Sequence, residues 1–297
     1  MDTIVFACIA PHGELLIPQI SGPHGDKAQA SRMGMEELGR RMAAARPDTI
    51  VIVEPHSLLL DGAISLLDSA RVEGTVVSDV IGPSRPEHRY TLSFEVDHAL
   101  VAAITAASRA TDVPVMRVRN FFERTPLSVI FGTMIPLWFM GSSFYPAPKV
   151  VVANVGNFHV NESKEWMTTL HYGQELPRDA YVGFGRAVRA AAAETGRRVA
   201  FIASLDLAHR HRADGPFGFD PAAEDCDATV LAAVRDNALD RLLEFDTAWV
   251  DRGLTEAIEP LLALHGVLEG SDLQAEVLSY EVPTYYGMSC VAYTRQP

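Results

Sequence analysis

Ten histidines are spread over 297 residues, and four of them share one context. His12, His56, His159 and His209 each end or closely follow a short, β-branched, apolar run: TIVFACIAPH, TIVIVEPH, KVVVANVGNFH and RVAFIASLDLAH. Imidazole titrates near neutral pH and is the commonest metal-ligating side chain, so several gathered together signal metal binding or proton transfer. His12 and His56 match most closely, each directly preceded by a proline that fixes the backbone where the chain leaves the run. They read as paired ligands. Two histidines and one carboxylate form the donor set of non-heme Fe(II) oxygenases, and similar donors serve hydrolytic zinc. His209 lies in Asp206-Leu-Ala-His-Arg-His211, where an acidic residue and a second imidazole can tune it. It reads as a general acid-base group or as a further ligand. His159 sits in the more polar Gly156-Asn-Phe-His-Val-Asn-Glu162, and the remaining carboxylate is offered by Glu256 or Glu259.

Placing these side chains together requires a particular scaffold. Near-continuous apolar runs of this length are strands buried on both faces of a parallel sheet. Ligands of open α/β sheets bind beyond the carboxyl ends of such strands, so the histidines are expected to converge on one rim. Between the strands, helices are predicted over Asp26–Arg46, over Ser93–Arg109 with Ser93 as N-cap, and over Arg178–Thr195 closed by Gly196. Two more are predicted over Pro221–Asn237 and Leu254–Leu268, the latter carrying both glutamates near its start. A short hairpin is expected within Leu58–Asp79, a Pro-rich loop at Gly82–Arg89, and terminal strands at Ala275–Glu281 and Met288–Thr294. The Gly-, Pro- and Asp-rich stretch from His209 to Asp227 suits a lip over a site. The fold class is therefore α/β: a single domain over residues 1–297, with a mostly parallel central sheet flanked by helices and a metal site at the carboxyl ends of the strands.

Composition narrows the functions. The formal charge of −13 without a Lys/Arg cluster disfavours nucleic acid. No uncharged apolar run reaches the length of a membrane span, no signal-peptide pattern opens the chain, and Phe131–Phe144, although strongly apolar, is too short and is interrupted by Gly and Pro. Three dispersed cysteines, Cys8, Cys226 and Cys290, argue against a disulfide framework and for a reducing cytoplasm. The phosphate-binding loop, the dinucleotide fingerprint, the nucleophile elbow and Cys-x-x-Cys are all missing.

Taken together, the motifs resemble the class III extradiol dioxygenases, the superfamily that includes the large subunit of protocatechuate 4,5-dioxygenase and the metal-binding Memo proteins. The likeness covers most of the chain. It rests on Ala10-Pro-His-Gly13, Glu54-Pro-His-Ser57, Asp206-Leu-Ala-His-Arg210 followed by Asp214-Gly-Pro-Phe-Gly-Phe-Asp220, and Leu254-Thr-Glu-Ala-Ile-Glu-Pro-Leu-Leu262. The resemblance implies Fe(II) held by His12, His56 and Glu256, with Glu259 as the rival carboxylate, and His209 as the acid-base residue beside the metal. It implies a catechol or aminophenol and O2 as substrates, and either a homodimer or a small separate subunit as partner; His159 and the Tyr285-Tyr286 pair are the candidate substrate contacts. One position departs from the pattern: Phe131, in Val129-Ile-Phe-Gly-Thr-Met-Ile-Pro-Leu137, stands where many members carry a substrate-contacting histidine. That departure keeps in play a Memo-like metal-binding protein without oxygen chemistry, while the ligand set itself also admits a zinc hydrolase.

Overall fold

The computed structural model describes residues 3–21, 26–76, 89–142, 144, 146–155 and 176–295. In chain order its elements are β1 (Ile4–Ala10), α1 (Pro18–Ser21), α2 (Gln29–Ala45), β2 (Thr49–Glu54), β3 (Ile64–Leu67), β4 (Arg71–Val76) and β5 (Tyr90–Glu95). There follow α3 (His98–Ala110), β6 (Val115–Val118), β7 (Leu127–Ser128), α4 (Phe131–Met140), β8 (Lys149–Asn154), α5 (Arg178–Thr195) and β9 (Val199–Ser204). The chain ends with α6 (Ala222–Arg235), α7 (Thr247–Gly253), α8 (Ile258–Leu268), β10 (Leu273–Glu281) and β11 (Met288–Arg295).

Eight strands form the main sheet in the order β10-β11-β1-β9-β2-β8-β3-β6. Its centre is the four apolar runs, β1, β9, β2 and β8, all parallel; β11 and β3 flank them in antiparallel sense. Register places Ile9, Ala203, Val53 and Ala153 level across these strands. Everything just beyond that row, including the segments leading to His12, His56 and His209, therefore leaves the sheet at one rim. Helices α2 and α4 cover one face, while α5 and α8 pack together over the other. A Cβ at Gly185 would stand 2.0 Å from the Ala263 carbonyl oxygen, and one at Gly266 would stand 2.1 Å from that of Val182. Only glycine lets these two backbones approach so closely. Both faces of the central strands are buried, as their lack of alternation demands. The result is one α/β domain built on a mixed, largely parallel sheet.

Three expectations are corrected. Among the described residues of Leu58–Asp79 the two strands do not pair as a hairpin: β3 joins the main sheet beside β8, whereas β4 turns away into a separate three-stranded sheet, β5-β4-β7. Ser93 lies in β5, its hydroxyl accepting from Arg71, and α3 starts five residues later with the Asp97 side chain accepting from the Leu100 N–H. The helix expected from Leu254 begins at Ile258, because Leu254 takes a left-handed φ of 52° and ends α7 instead. Within the apolar stretch that is too short to span a membrane, Phe131–Met140 forms α4, with Pro136 inside it. By contrast α5 has the predicted bounds and ends on a left-handed Gly196. The three cysteines are buried free thiols, and no helix among the described residues is long and apolar enough to cross a membrane. Gly82–Arg89, apart from Arg89 itself, lies outside the described residues.

Candidate metal centre

His12, His56 and Glu256 meet beyond the carboxyl ends of β1 and β2, with their donor atoms close together. Nε2 of His12 lies 3.0 Å from Nε2 of His56 and 2.8 Å from Oε1 of Glu256, and Oε2 of Glu256 lies 3.1 Å from Nε2 of His56. Two ligand atoms about 2.1 Å from a common ion and at right angles to each other are about 3 Å apart, so these separations match those between neighbouring ligands in a coordination shell. Oε2 of Glu256 is buried without a hydrogen bond, an arrangement that a cation would satisfy. The donor set fits a divalent metal ion.

Each ligand is held from behind. Nδ1 of His12 lies 3.0 Å from the Ser204 hydroxyl, whose single proton goes to the Gly132 carbonyl at 2.5 Å. Nδ1–H of His12 is therefore the donor, which leaves Nε2 facing the ion site. The backbone N–H of His12 donates to Asp206 Oδ1 at 3.2 Å, and the N–H of Asp206 donates to Glu256 Oε1 at 2.8 Å. His56 is aimed by the turn beyond β2. There the buried Glu54 carboxylate accepts from the N–H groups of His56 at 2.7 Å and Ser57 at 2.9 Å. Gly132 makes room for that carboxylate, since a Cβ there would stand 2.5 Å from Glu54 Oε2.

The charges at the site act on one another. Burial disfavours a protonated His12, but Asp206 and Glu256 outweigh it and lift its pKa to about 9. Burial also opposes a charge on Glu256, yet His56 and His12 beside it hold its carboxyl well below the usual range. Asp206, 3.6 Å from Nε2 of His12 through Oδ2, is shifted upward by burial despite the imidazoles nearby.

His209 closes a second group of candidate donors with Asp206 and Glu256. Its Nδ1 lies 3.0 Å from the Leu254 carbonyl, an acceptor only, so Nδ1 carries the proton and Nε2 is left for exchange. Tyr286 stacks on the ring at 5.3 Å between centroids, and Phe217 and Tyr285 flank it at 6.1 Å each. Phe131 lies over the metal ligands, 4.7 Å from the His56 ring and 5.5 Å from that of His12. The loop bearing His209 is tied down by the buried Asp227, which accepts from the Ala208 N–H at 2.8 Å and the Tyr280 hydroxyl at 2.8 Å and lies 2.9 Å from Nε2 of His211.

The structure thus brings together His12, His56, Glu256, His209 and Tyr285 from distant stretches of chain. Glu256 sits in the loop ahead of α8 and not on a helix; Glu259, in the first turn of α8, is outside the donor group. His159 lies outside the described residues, while His98 and His265 belong to α3 and α8. Sequence reasoning placed Asp206 beside His209 but not against His12, and missed the supporting roles of Glu54 and Ser204, which end β2 and β9. The available signal was a polar residue ending an otherwise apolar, fully buried strand, which must have a partner there.

Over residues 6–294 the chain matches the family model described as the catalytic LigB subunit of aromatic ring-opening dioxygenase. It is 26% identical over 276 residues to Protein CA_C1420 of Clostridium acetobutylicum; that stretch covers 92% of this chain and 54% of the relative, so the chain spans about half of the relative's length. A crystal structure of uncharacterized protein JW3007 from Escherichia coli K12 shares the fold, with a TM-score of 0.54 at 17% identity over 97% of this chain and 98% of that one. With the family model matched along nearly its whole length, this chain belongs to the family of catalytic LigB subunits of aromatic ring-opening dioxygenases.

Proposed function

We propose that the chain is an extradiol ring-opening dioxygenase that holds one Fe(II) ion with His12, His56 and Glu256 and cleaves a catechol or aminophenol with O2. The observation that carries this reading is the group of donor atoms from His12, His56 and Glu256, 2.8 to 3.1 Å between neighbouring side chains, beside a histidine anchored through Nδ1. When bound, the ferrous ion supplies the redox chemistry with O2 and the open positions that side chains lack.

The chain's own residues orient the ring and manage protons. His209 accepts a substrate hydroxyl proton at Nε2, while the Leu254 carbonyl keeps Nδ1–H in place and so fixes the tautomer. It returns that proton as the ring opens and both oxygen atoms enter the product. Phe131, Phe217, Tyr285 and Tyr286 provide aromatic faces that hold a flat ring and keep water from the reacting edge. Phe131 also favours a second reading, a metal-binding protein in which the pocket persists without oxygenase activity.

Both readings answer to one experiment, an oxygen electrode run on Fe(II)-loaded protein with a panel of catechols and aminophenols. Substrate-dependent O2 uptake with a yellow ring-opened product is the expected result. Bound metal with no O2 uptake across the panel would sink the dioxygenase assignment, and turnover of an ester or amide panel without O2 would replace it with zinc-type hydrolysis.

A further inference from the structure

We propose that the outer edge of β6 and the turn that follows it form a docking surface for an extended, acidic segment of a partner protein, which adds to the main sheet as a further strand. β6 is the last strand of that sheet, and among the described residues it pairs only with β3. An edge strand offers a row of backbone N–H and C=O groups that an incoming strand can use. β6 runs parallel to β3 and β3 runs antiparallel to β8, so the chain leaves β6 at the rim opposite the metal centre. A partner bound there does not have to cover the ring-opening site.

Charge selects the sign of the partner. Arg117 lies within β6 and Arg119 just after it, and both turn to the carboxylate of Asp68, buried at the end of β3. Nε of Arg117 donates to Asp68 Oδ2 at 2.8 Å, Nε of Arg119 donates to the same oxygen at 2.6 Å, and Nδ1 of His98 lies 2.7 Å from Oδ1. Among the described residues Asp68 is the one carboxylate with which either arginine forms an ion pair. Two guanidiniums on one carboxylate leave a positive charge over, and with five N–H donors each they offer more than that carboxylate can accept. Both side chains are partly open to solvent, so a carboxylate of an incoming segment can take the spare donors in charge-assisted hydrogen bonds.

Apolar side chains stand beside these charges. Met116 is 56% exposed, Phe121 94% and Phe122 72%, and the two phenyl rings meet edge to face at 5.2 Å. Arg, Met and Phe together are what the centres of protein interfaces are enriched in. The turn that carries the rings is already braced. The Asn120 N–H donates to the Ser69 hydroxyl at 3.0 Å, its side-chain amide to the carbonyls of Thr125 and Pro126 at 2.9 Å each, and the Thr125 N–H to the Phe122 carbonyl at 2.9 Å. Covering rings on so fixed a turn costs little further ordering. A second copy of this chain fits less well, because a two-fold contact through β6 would set Arg117 and Arg119 against their own counterparts.

A phage-displayed library of random dodecapeptides, panned against the full chain, supplies the probe. Selected peptides are expected to alternate Asp or Glu with apolar residues, and a synthetic copy of the strongest should slow hydrogen exchange at amides of Val115–Val118. Its affinity should fall roughly tenfold or more on Arg119→Gln and on Phe121→Ser. The second substitution changes a side chain that is almost wholly exposed, which keeps the test independent of folding. An empty selection, binders without acidic residues, or binders indifferent to both substitutions would overturn the proposal. A dimer in sedimentation that protects the same amides would overturn it in favour of a second copy.

Discussion

Metal and proton compete for His12, and the competition can be worked out from the geometry. Nε2 of His12 lies between the carboxylates of Glu256 at 2.8 Å and Asp206 at 3.6 Å, and its pKa is lifted from 6.5 to about 9. In metal-free protein at neutral pH this ring carries a proton that an incoming ion must displace. Apparent affinity therefore falls below its high-pH limit roughly tenfold at pH 8 and roughly a hundredfold at pH 7, close to one decade per pH unit. Zinc titrated against a chromophoric chelator in buffers from pH 7 to 8 measures that slope directly. Stability of the empty protein runs the other way. Because the folded pKa lies above the ordinary value, His12 contributes on the order of 3 kcal/mol that is fully present below pH 6.5 and lost as pH rises through about 9. Chelator-treated protein should melt at progressively lower temperature from pH 6.5 to 9.5, and the metal-loaded form should not follow it. A zinc affinity that is flat between pH 7 and 8 would refute the account of His12 as a charged bridge between two carboxylates.

Four substitutions probe the rest of the site. Glu256→Ala removes the one carboxylate of the donor group and should weaken zinc binding by roughly a hundredfold or more. Glu259→Ala should leave the chelator titration unchanged, since Glu259 stands outside the group. Gly132→Ala puts a methyl 2.5 Å from Glu54 Oε2 and 3.3 Å from His56 Cδ2, against a carboxylate fixed by two backbone N–H groups. It should destabilise the fold by about 1–3 kcal/mol in denaturant unfolding and lower metal affinity in step. His209→Gln should depress ring-opening turnover by roughly two to four decades while metal content, measured by elemental analysis, stays at the wild-type level. Normal turnover in that variant would remove His209 from the chemistry.

Most of the scaffold was legible because its central strands obey a single rule. A strand buried on both faces cannot alternate, so β1, β2, β8 and β9 announce themselves as unbroken apolar runs, and the residues after them inherit a common rim. Arg178–Thr195 was equally plain, with helical spacing ending on a glycine free to turn left-handed. What failed depended on partners far away in sequence. Leu58–Asp79 contains two strands of different kind, the wholly buried β3 and the alternating β4, and only their separate sheets explain the change of period. Ser93 and Asp97 are both competent caps; pairing of Tyr90–Glu95 with β4 takes Ser93 into a strand and leaves Asp97 to start the helix. Glu256 could be nominated but not placed, because the break that frees it from α8 is a left-handed leucine, a conformation its sequence does not favour. Asp206 was legible as a neighbour of His209, yet its contact with His12 spans 194 positions of chain and appears only once β1 and β9 lie side by side.

That pairing also decides how the site survives without an ion. Three carboxylates buried at one rim would repel one another, and each would bear the cost of leaving water. The fold meets this in two ways. Backbone amides are brought to the carboxylates: those of His56 and Ser57 to Glu54, that of His12 to Asp206, and that of Asp206 to Glu256. A proton on His12 then supplies the positive charge between the last two. The hydrogen bonds from His12 to Asp206 to Glu256 link three segments that would otherwise depend on a metal to hold them together. Exchange of a proton for a divalent ion consequently changes the charge of a site that is already assembled, and the affinity of the ion is spent on binding and not on folding, unlike that of a zinc finger. A site assembled in this way can keep one coordination face free of protein ligands, which is the condition an oxygen-using centre has to meet.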